Sequence, residues 1–432
     1  MYNVFSLKNG LRVVIENIDY VNSVSVGLWI ENGSRNEGVD NNGISHFIEH
    51  MLFKGTNNRT AKEIAECIEG VGGQINAFTG KEATCFYIKL LYTHLELALD
   101  VLSDMLFNSK FLEEDIEKEK GVITEEINMS SDSPEDVLSD LHCTAIWGND
   151  SITLPILGEV KTIKSFTRKM LIDYISSYYI PENSVISIAG KFNQDEIEDL
   201  VTKYFGSWKS SIKHITSYSK PEIQRNHIFK EKKIEQLHMS LGIPGLETGS
   251  NEIYSLLLLC NVFGGGASSL LFQKIREEKG MCYSIYSYIS AFKNTGIVTL
   301  YAALNPNYAA EAVCLIKDEI KSFAKEGISK EKLYKAKEQL KGSYILGLES
   351  TSSRMFNNGK SILFLNKINT PEDIIKKINN INSDSLEKVI DLTFKKGIYN
   401  SSYVGASIDM KIMKDILQED KYPFDISRNI EI

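Results

Sequence analysis

Polar and apolar residues alternate along Ser23-Val-Ser-Val-Gly-Leu-Trp-Ile30, the period-two pattern of a strand with one buried face. A helical period takes over at Leu95, Ala98, Leu99, Leu102 and Leu106, whose three- and four-residue steps place one apolar stripe on a helix. The same order of elements then recurs. Gln236–Ile243 repeats the strand, and a helix follows in each copy, ending Leu52-Phe-Lys-Gly55 in the first and Val262-Phe-Gly-Gly265 in the second. A further helix closes at Gly72-Gly73 and at Gly280, and strand pairs follow over 74–91 and 283–304. Each copy then carries two amphipathic helices, with Lys120-Gly121 and Lys341-Gly342 marking the same place. The chain reads as one unit of about 210 residues written twice. The expected fold class is α+β: two homologous domains, each a mostly antiparallel sheet with helices packed on one face. The expected boundaries are 1–208, a polar linker with a proline at 209–225, and 226–432.

The first helix of the first copy carries His46-Phe-Ile-Glu-His50, the mirror of the H-E-x-x-H zinc protease signature. Four residues apart on a helix, His46 and His50 lie one above the other and can grip one metal ion. Glu49 sits beside them without having to bind, where a general base for a zinc-activated water belongs. A surface helix with two chance histidines is the bland alternative, and seven His in 432 residues make it a poor one. A third ligand is expected in the acidic helical stretch 111–129, where Glu119 and Glu126 are two turns apart and share a face, one to ligate and one to support. Spacing alone leaves Glu125 and Glu126 both open.

Aligning the copies through Phe53 and Phe263 sets His46 on Leu256, Glu49 on Leu259 and His50 on Cys260. Aligning them through the Lys-Gly pairs sets Glu126 on Gly347 and Glu125 on Leu346. The second copy thus keeps the scaffold and replaces every metal position. That supports a functional reading of the first copy and favours Glu126 without closing the case of Glu125.

These strings resemble the pitrilysin/insulinase superfamily of inverzincin metallopeptidases, peptidase family M16. Within it they look like the branch of the mitochondrial processing peptidase and its short bacterial relatives. The resemblance covers nearly the whole chain and rests first on Gly43-Ile-Ser-His-Phe-Ile-Glu-His-Met-Leu-Phe-Lys-Gly-Thr56. Gly264–Tyr283 and Thr351-Ser-Ser-Arg-Met355 match further diagnostic stretches, with Met281-Cys282 a mild departure. The resemblance implies a zinc-dependent endopeptidase hydrolysing peptides or unstructured protein segments. It places one Zn²⁺ per chain on His46, His50 and Glu126, with Glu119 in support and Glu49 as the base. It makes Asn76-Ala-Phe-Thr79 (Asn76, Ala77, Phe78, Thr79) the substrate-binding strand, and it maps the family's Arg and Tyr, donors to the substrate carbonyl, onto Arg276 and Tyr283. It also implies a homodimer in which that pair serves the zinc of the other subunit.

Charge and cysteine usage narrow the setting. A net charge of −9, with no basic run interleaved with aromatics, argues against a nucleic-acid partner. No apolar run is long enough to span a membrane, and the opening residues lack the basic and apolar regions of a secretory signal. The six Cys are scattered without C-x-x-C pairing, as in a reduced, cytoplasmic protein. Gly264-Gly265-Gly266 lacks the Gly-Lys-Ser/Thr that a phosphate loop requires. His94, His142, His214, His227 and His238 have no second ligand nearby in sequence and read as structural. Two rival classes remain: a non-catalytic partner subunit of the same fold, and a metal-binding module without catalysis. A closed structural site would add a fourth protein ligand, commonly Cys, and none is spaced beside the helix.

Overall fold

A computed structural model describes residues 2–209 and 215–418. Met1, residues 210–214 of the expected linker with His214, and 419–432 of the expected second domain lie outside the described residues.

The strands gather into two sheets. The first holds β1 (Tyr2–Ser6), β2 (Arg12–Asn17), β3 (Ser23–Ile30), β4 (Gln74–Thr79), β5 (Thr84–Leu91) and β6 (Ser184–Gly190), in the order β1-β2-β6-β3-β5-β4. Among the described residues, only β2 and β6 of this sheet run parallel. The second holds β7 (His227–Glu231), β8 (Leu237–Pro244), β9 (Cys282–Phe292), β10 (Thr295–Leu304) and β11 (Asn400–Gly405), in the order β7-β11-β8-β10-β9. Here β7 and β11 form the single parallel pair among the described residues. The α+β class and the duplication are both visible in this topology. The two corresponding strands β4 and β9 each lie at the edge of their sheet, preceding the long partner they pair with.

The chain divides into two compact units that do not follow sequence order. Of the described residues, unit 1 takes those within Met1–Met129, Leu154–Tyr218 and Tyr344–Thr370, and unit 2 those within Ser130–Thr153, Ser219–Ser343 and Pro371–Ile432. Relative to two contiguous halves, each unit has given the other one helical segment. The reason is the second face of each sheet. In unit 1, β3 sends Val24, Val26, Leu28 and Ile30 into the main core, with Phe47, Ile48, Leu99 and Leu102 from helices. The opposite face shows Val14, Trp29, Cys85 and Val185, and Ile362 and Leu363 of the helix Thr351–Leu365 cover it. A helix therefore lies on this face too, beyond the helices expected on one face only.

That helix fits by shape and by polar anchors. A Cβ at Gly359 would come within 2.1 Å of Trp29 Nε1, so only glycine permits the approach. Arg354 and Asn358 both donate to the buried Glu16, Asn358 at 2.7 Å, and Thr351 shares a 3.0 Å hydrogen bond with Ser25. These contacts account for the family-like string 351–355. In unit 2 the helix Pro134–Trp147 does the corresponding work: Leu138 packs with Tyr301, Ala303 and Val404, and Trp147 Nε1 donates to Thr295 Oγ1 at 3.1 Å. The described part of the linker is strapped to unit 1, where Thr216 Oγ1 donates to the Glu31 carbonyl at 2.8 Å and Tyr218 lies under the Arg35 guanidinium.

Candidate metal centre

The helix Ile44–Leu52 presents two faces. Ile44, Phe47, Ile48 and Met51, at helical spacing, are all essentially inaccessible. Their burial fixes the helix and turns His46, Glu49 and His50 the other way. Gly43 opens the helix at φ +94°, a left-handed conformation that a side chain would strain, and a Cβ there would also meet Gly158 and Ile163 at 2.8 Å. Glycine cannot cap a helix with a side chain, so the buried Glu37 does it from upstream. Its carboxylate accepts the backbone N–H groups of Gly43 at 2.7 Å and Ser45 at 2.8 Å, and the Asn42 amide at 2.8 Å.

The helix Glu113–Asp132 brings the acidic partners. Ile116, Glu119 and Ile123 are buried on one face. Two turns along from Glu119, Glu126 Oε2 lies 3.7 Å from His46 Nε2 and 3.6 Å from His50 Nε2. Among the described residues, His46, His50 and Glu126 form a group whose ligand atoms all lie within 4.8 Å of one another. Glu125 is exposed and outside it. Glu119 takes the supporting position. Its Oε1 is 2.8 Å from His50 Nδ1 and its Oε2 is 2.5 Å from Lys54 Nζ, so both oxygens are engaged. Burial works to raise the Glu119 pKa, but the hydrogen bonds from His50 and Lys54 outweigh it and hold the carboxyl below its usual range. An ionised Glu119 keeps the proton of His50 on Nδ1 and leaves the Nε2 lone pair facing the ligand group.

The donor set fits zinc. Two imidazole nitrogens and one carboxylate oxygen are borderline donors of the kind Zn²⁺ takes. Ligand bonds near 2.1 Å give a tetrahedron an edge of about 3.4 Å, close to the N···O separations found. Burial, and then the charge of His50, push the His46 pKa down to about 3, so this imidazole stays neutral as a ligand must. Its Nδ1 is buried and has no protein partner, so His46 lacks the counterpart of the Glu119 contact. Three protein donors leave the fourth position of a tetrahedron open, the mark of a catalytic rather than a structural site.

Glu49 is half-buried on the same helix. Thr79 Oγ1 donates to its Oε2, while Oε1 has no hydrogen bond among the described residues. Burial raises its pKa, and the Thr79 hydrogen bond works against that rise. The strand expected to bind substrate is divided by its pleat. Ala77 and Thr79 face the helices, whereas Phe78 lies on the other face, edge-on to Trp29 and Phe356 with ring centres 5.6 and 5.8 Å away. Asn76 is exposed, and its Oδ1 occupies the Ala77 N–H at 2.8 Å. Arg276 and Tyr283 belong to unit 2. Arg276 sits on a π-helical turn, Phe272–Glu278, with its guanidinium carbon 4.7 Å from the ring centre of Tyr283, which is 74% exposed. The corresponding helix of unit 2, Ile253–Gly264, buries Leu256, Leu259 and Cys260 where unit 1 has His46, Glu49 and His50.

Sequence reasoning passed over Glu37, Lys54 and the hydroxyl of Thr79. A signal existed for Glu37: a helix opening on glycine lacks a cap of its own. Lys54 falls just past the helix end, where helical spacing stops being a guide.

Known proteins resemble this chain over most of its length. Residues 12–160 match the family described as insulinase (peptidase family M16), and residues 165–340 match the peptidase M16 inactive domain. An uncharacterized zinc protease of Bacillus subtilis, YmxG, is 44% identical over 408 residues, 94% of this chain and 98% of the relative. An uncharacterized zinc protease of Mycobacterium tuberculosis, Rv2782c, is 36% identical over 394 residues, 89% of each chain. Among solved structures, a protease from Helicobacter pylori superimposes with a TM-score of 0.88 at 24% identity, over 94% of this chain and 99% of that one. The chain belongs to the insulinase family of zinc proteases, peptidase family M16, with its catalytic domain first and an inactive domain after it.

Proposed function

We propose that the protein is an endopeptidase for peptides or unstructured protein segments, with one zinc ion per chain held by His46, His50 and Glu126. When bound, zinc supplies Lewis acidity, making a water acidic near neutral pH and polarising a carbonyl. Glu49 takes the proton at Oε1 and later delivers it to the leaving amine. Glu119, held by Lys54, keeps His50 in one tautomer. Arg276 and Tyr283 are the donors for the oxyanion, and their mutual stacking supports treating them as a pair. The exposed edge of β4 takes an extended chain by backbone hydrogen bonds, which suits substrates without fixed structure. The assembly we propose is a homodimer, in the cytoplasm; among the described residues no helix is long and apolar enough to cross a membrane, and all six cysteines are free.

The observation that carries this reading is a carboxylate with one free oxygen beside a three-donor metal group. The test is hydrolysis of a fluorogenic peptide library with and without chelator. Glu49→Gln should abolish turnover and keep about one zinc per chain, while His46→Ala should lose both. Zinc lost from Glu49→Gln with turnover retained would overturn the assignment.

A further inference from the structure

We propose that Thr79 is a positioning residue for Glu49, and that its hydroxyl selects which carboxylate oxygen performs the proton transfer. This rests on the reading of Glu49 as the base, and it differs from a role for the Thr79 side chain in lining a substrate subsite.

The protons and lone pairs around Thr79 Oγ1 leave one arrangement. Thr79 Oγ1 has two polar neighbours, Glu49 Oε2 and, at 3.4 Å, Thr84 Oγ1. Thr84 Oγ1 donates its own proton to the Asn32 carbonyl at 2.9 Å, so toward Thr79 it can only accept. A hydroxyl has one proton, and the closer, charged acceptor takes it. Thr79 therefore donates to Glu49 Oε2. Oε1 is left as the oxygen with no protein partner and with its basic lone pairs available. The preference survives the transfer: once Oε1 carries the proton, Oε2 is the carbonyl oxygen of the acid and still accepts from Thr79. The hydroxyl need not turn during the cycle, and Glu49 stays in one rotamer in both charge states. Thr79 can do this because the pleat of β4 turns its side chain toward the helix Ile44–Leu52, and its neighbour Thr84, with the Asn32 that Thr84 donates to, is buried.

Glu49 is only half-buried and its side chain has three rotatable bonds, so an untethered carboxylate would sample other rotamers. Misplacement of a reacting group by an ångström can cost about 100-fold in rate. Thr79→Val keeps shape and strand preference while removing the donor. It should lower kcat by about 10-fold or more, leave KM within about twofold, and leave zinc affinity (by chelator competition) and the thermal midpoint unchanged. Thr79→Ala should lose kcat in the same way, and Thr79→Ser, which restores the donor, should recover most of it. The proposal is overturned by a Thr79→Val protein with parental kcat. It is equally overturned by a rise in KM alone, which marks a subsite residue, by a loss of zinc or melting temperature, which marks a structural one, or by failure of Thr79→Ser to rescue. Glu49→Gln run alongside separates the two claims. If it turns over, the reading of the base falls; if it is dead while Thr79→Val is normal, only the role of Thr79 falls.

Discussion

Glu125 and Glu126 are neighbours on one helix, yet a rotation of about 100° separates their side chains, and only Glu126 reaches the imidazoles. Removing one donor of three should weaken zinc binding steeply, whereas Glu125 stands exposed and touches none of the group. Glu126→Gln should lose zinc on dialysis against a weak chelator, and Glu125→Gln should retain it at the parental level; equal losses would move the ligand. At this scale the sequence was a good guide wherever the geometry is local. His46, Glu49 and His50 share one helix, so their spacing nearly is their arrangement. Glu119 and Glu126 share another, and the duplicated half, with Gly347 in the place of Glu126, favoured the carboxylate that lies against the imidazoles. What spacing could not reach were contacts between elements. Glu37 caps a helix it is not part of, and Thr79 was assigned to the strand as a whole before the pleat separated it from Phe78.

Elements tell a similar story with a different blind spot. The strand β3 falls on the alternating run that predicts it, Ser23–Ile30, and the second sheet repeats the pattern at β8. Helical periodicity finds an apolar stripe but says nothing of which sheet receives it, so the exchange of 130–153 and 344–370 between units was not readable. The helix Pro134–Trp147 shows what the exchange places inside. His142 is buried, shares a 3.2 Å hydrogen bond with Ser402, and has an Nε2 with no partner. Burial pushes its pKa down to about 3. In the unfolded chain this group titrates near 6.5, so below that pH the unfolded state binds a proton that the folded state refuses until about pH 3. Stability from this residue is therefore complete above pH 6.5 and declines as the pH falls toward 3. Between pH 7 and pH 5 the decline should be about 2 kcal/mol. Urea melts of the parent and of His142→Asn at both values check it. The variant should have the smaller difference between the two pH values, whatever its stability at either; an unchanged difference would mean that His142 is not the group responsible.

At the level of the whole molecule, the metal group and the Arg276–Tyr283 pair belong to different units, so the proposed activity draws on both copies of the repeat. Complementation tests whether two chains share the work. Glu49→Gln and Arg276→Ala, each nearly inactive alone, are co-refolded and the mixed dimers verified by mass. If sites are shared across the dimer, one site in each mixed dimer is fully intact and activity returns to a substantial fraction of the parent. Verified mixed dimers without activity would rule out the shared arrangement. The second copy has no counterpart of the metal group at the corresponding helix. Leu256, Leu259 and Cys260 fill a core where imidazoles would need partners.

The exchanged helix has a consequence in time. A ribosome releases His46, Glu49, His50 and Glu126 long before it reaches residues 351–365, and until then Trp29, Cys85 and Val185 have no cover and Glu16 no cation. The nascent catalytic half is thus an unfinished object, and its completion is tied to the synthesis of nearly the whole chain. A message cut short before residue 351 would yield a fragment with His46, Glu49, His50 and Glu126 and with an open apolar face. Competence of the metal-bearing unit is thereby tied to residues 351–365, which leave the ribosome about 225 residues after Glu126.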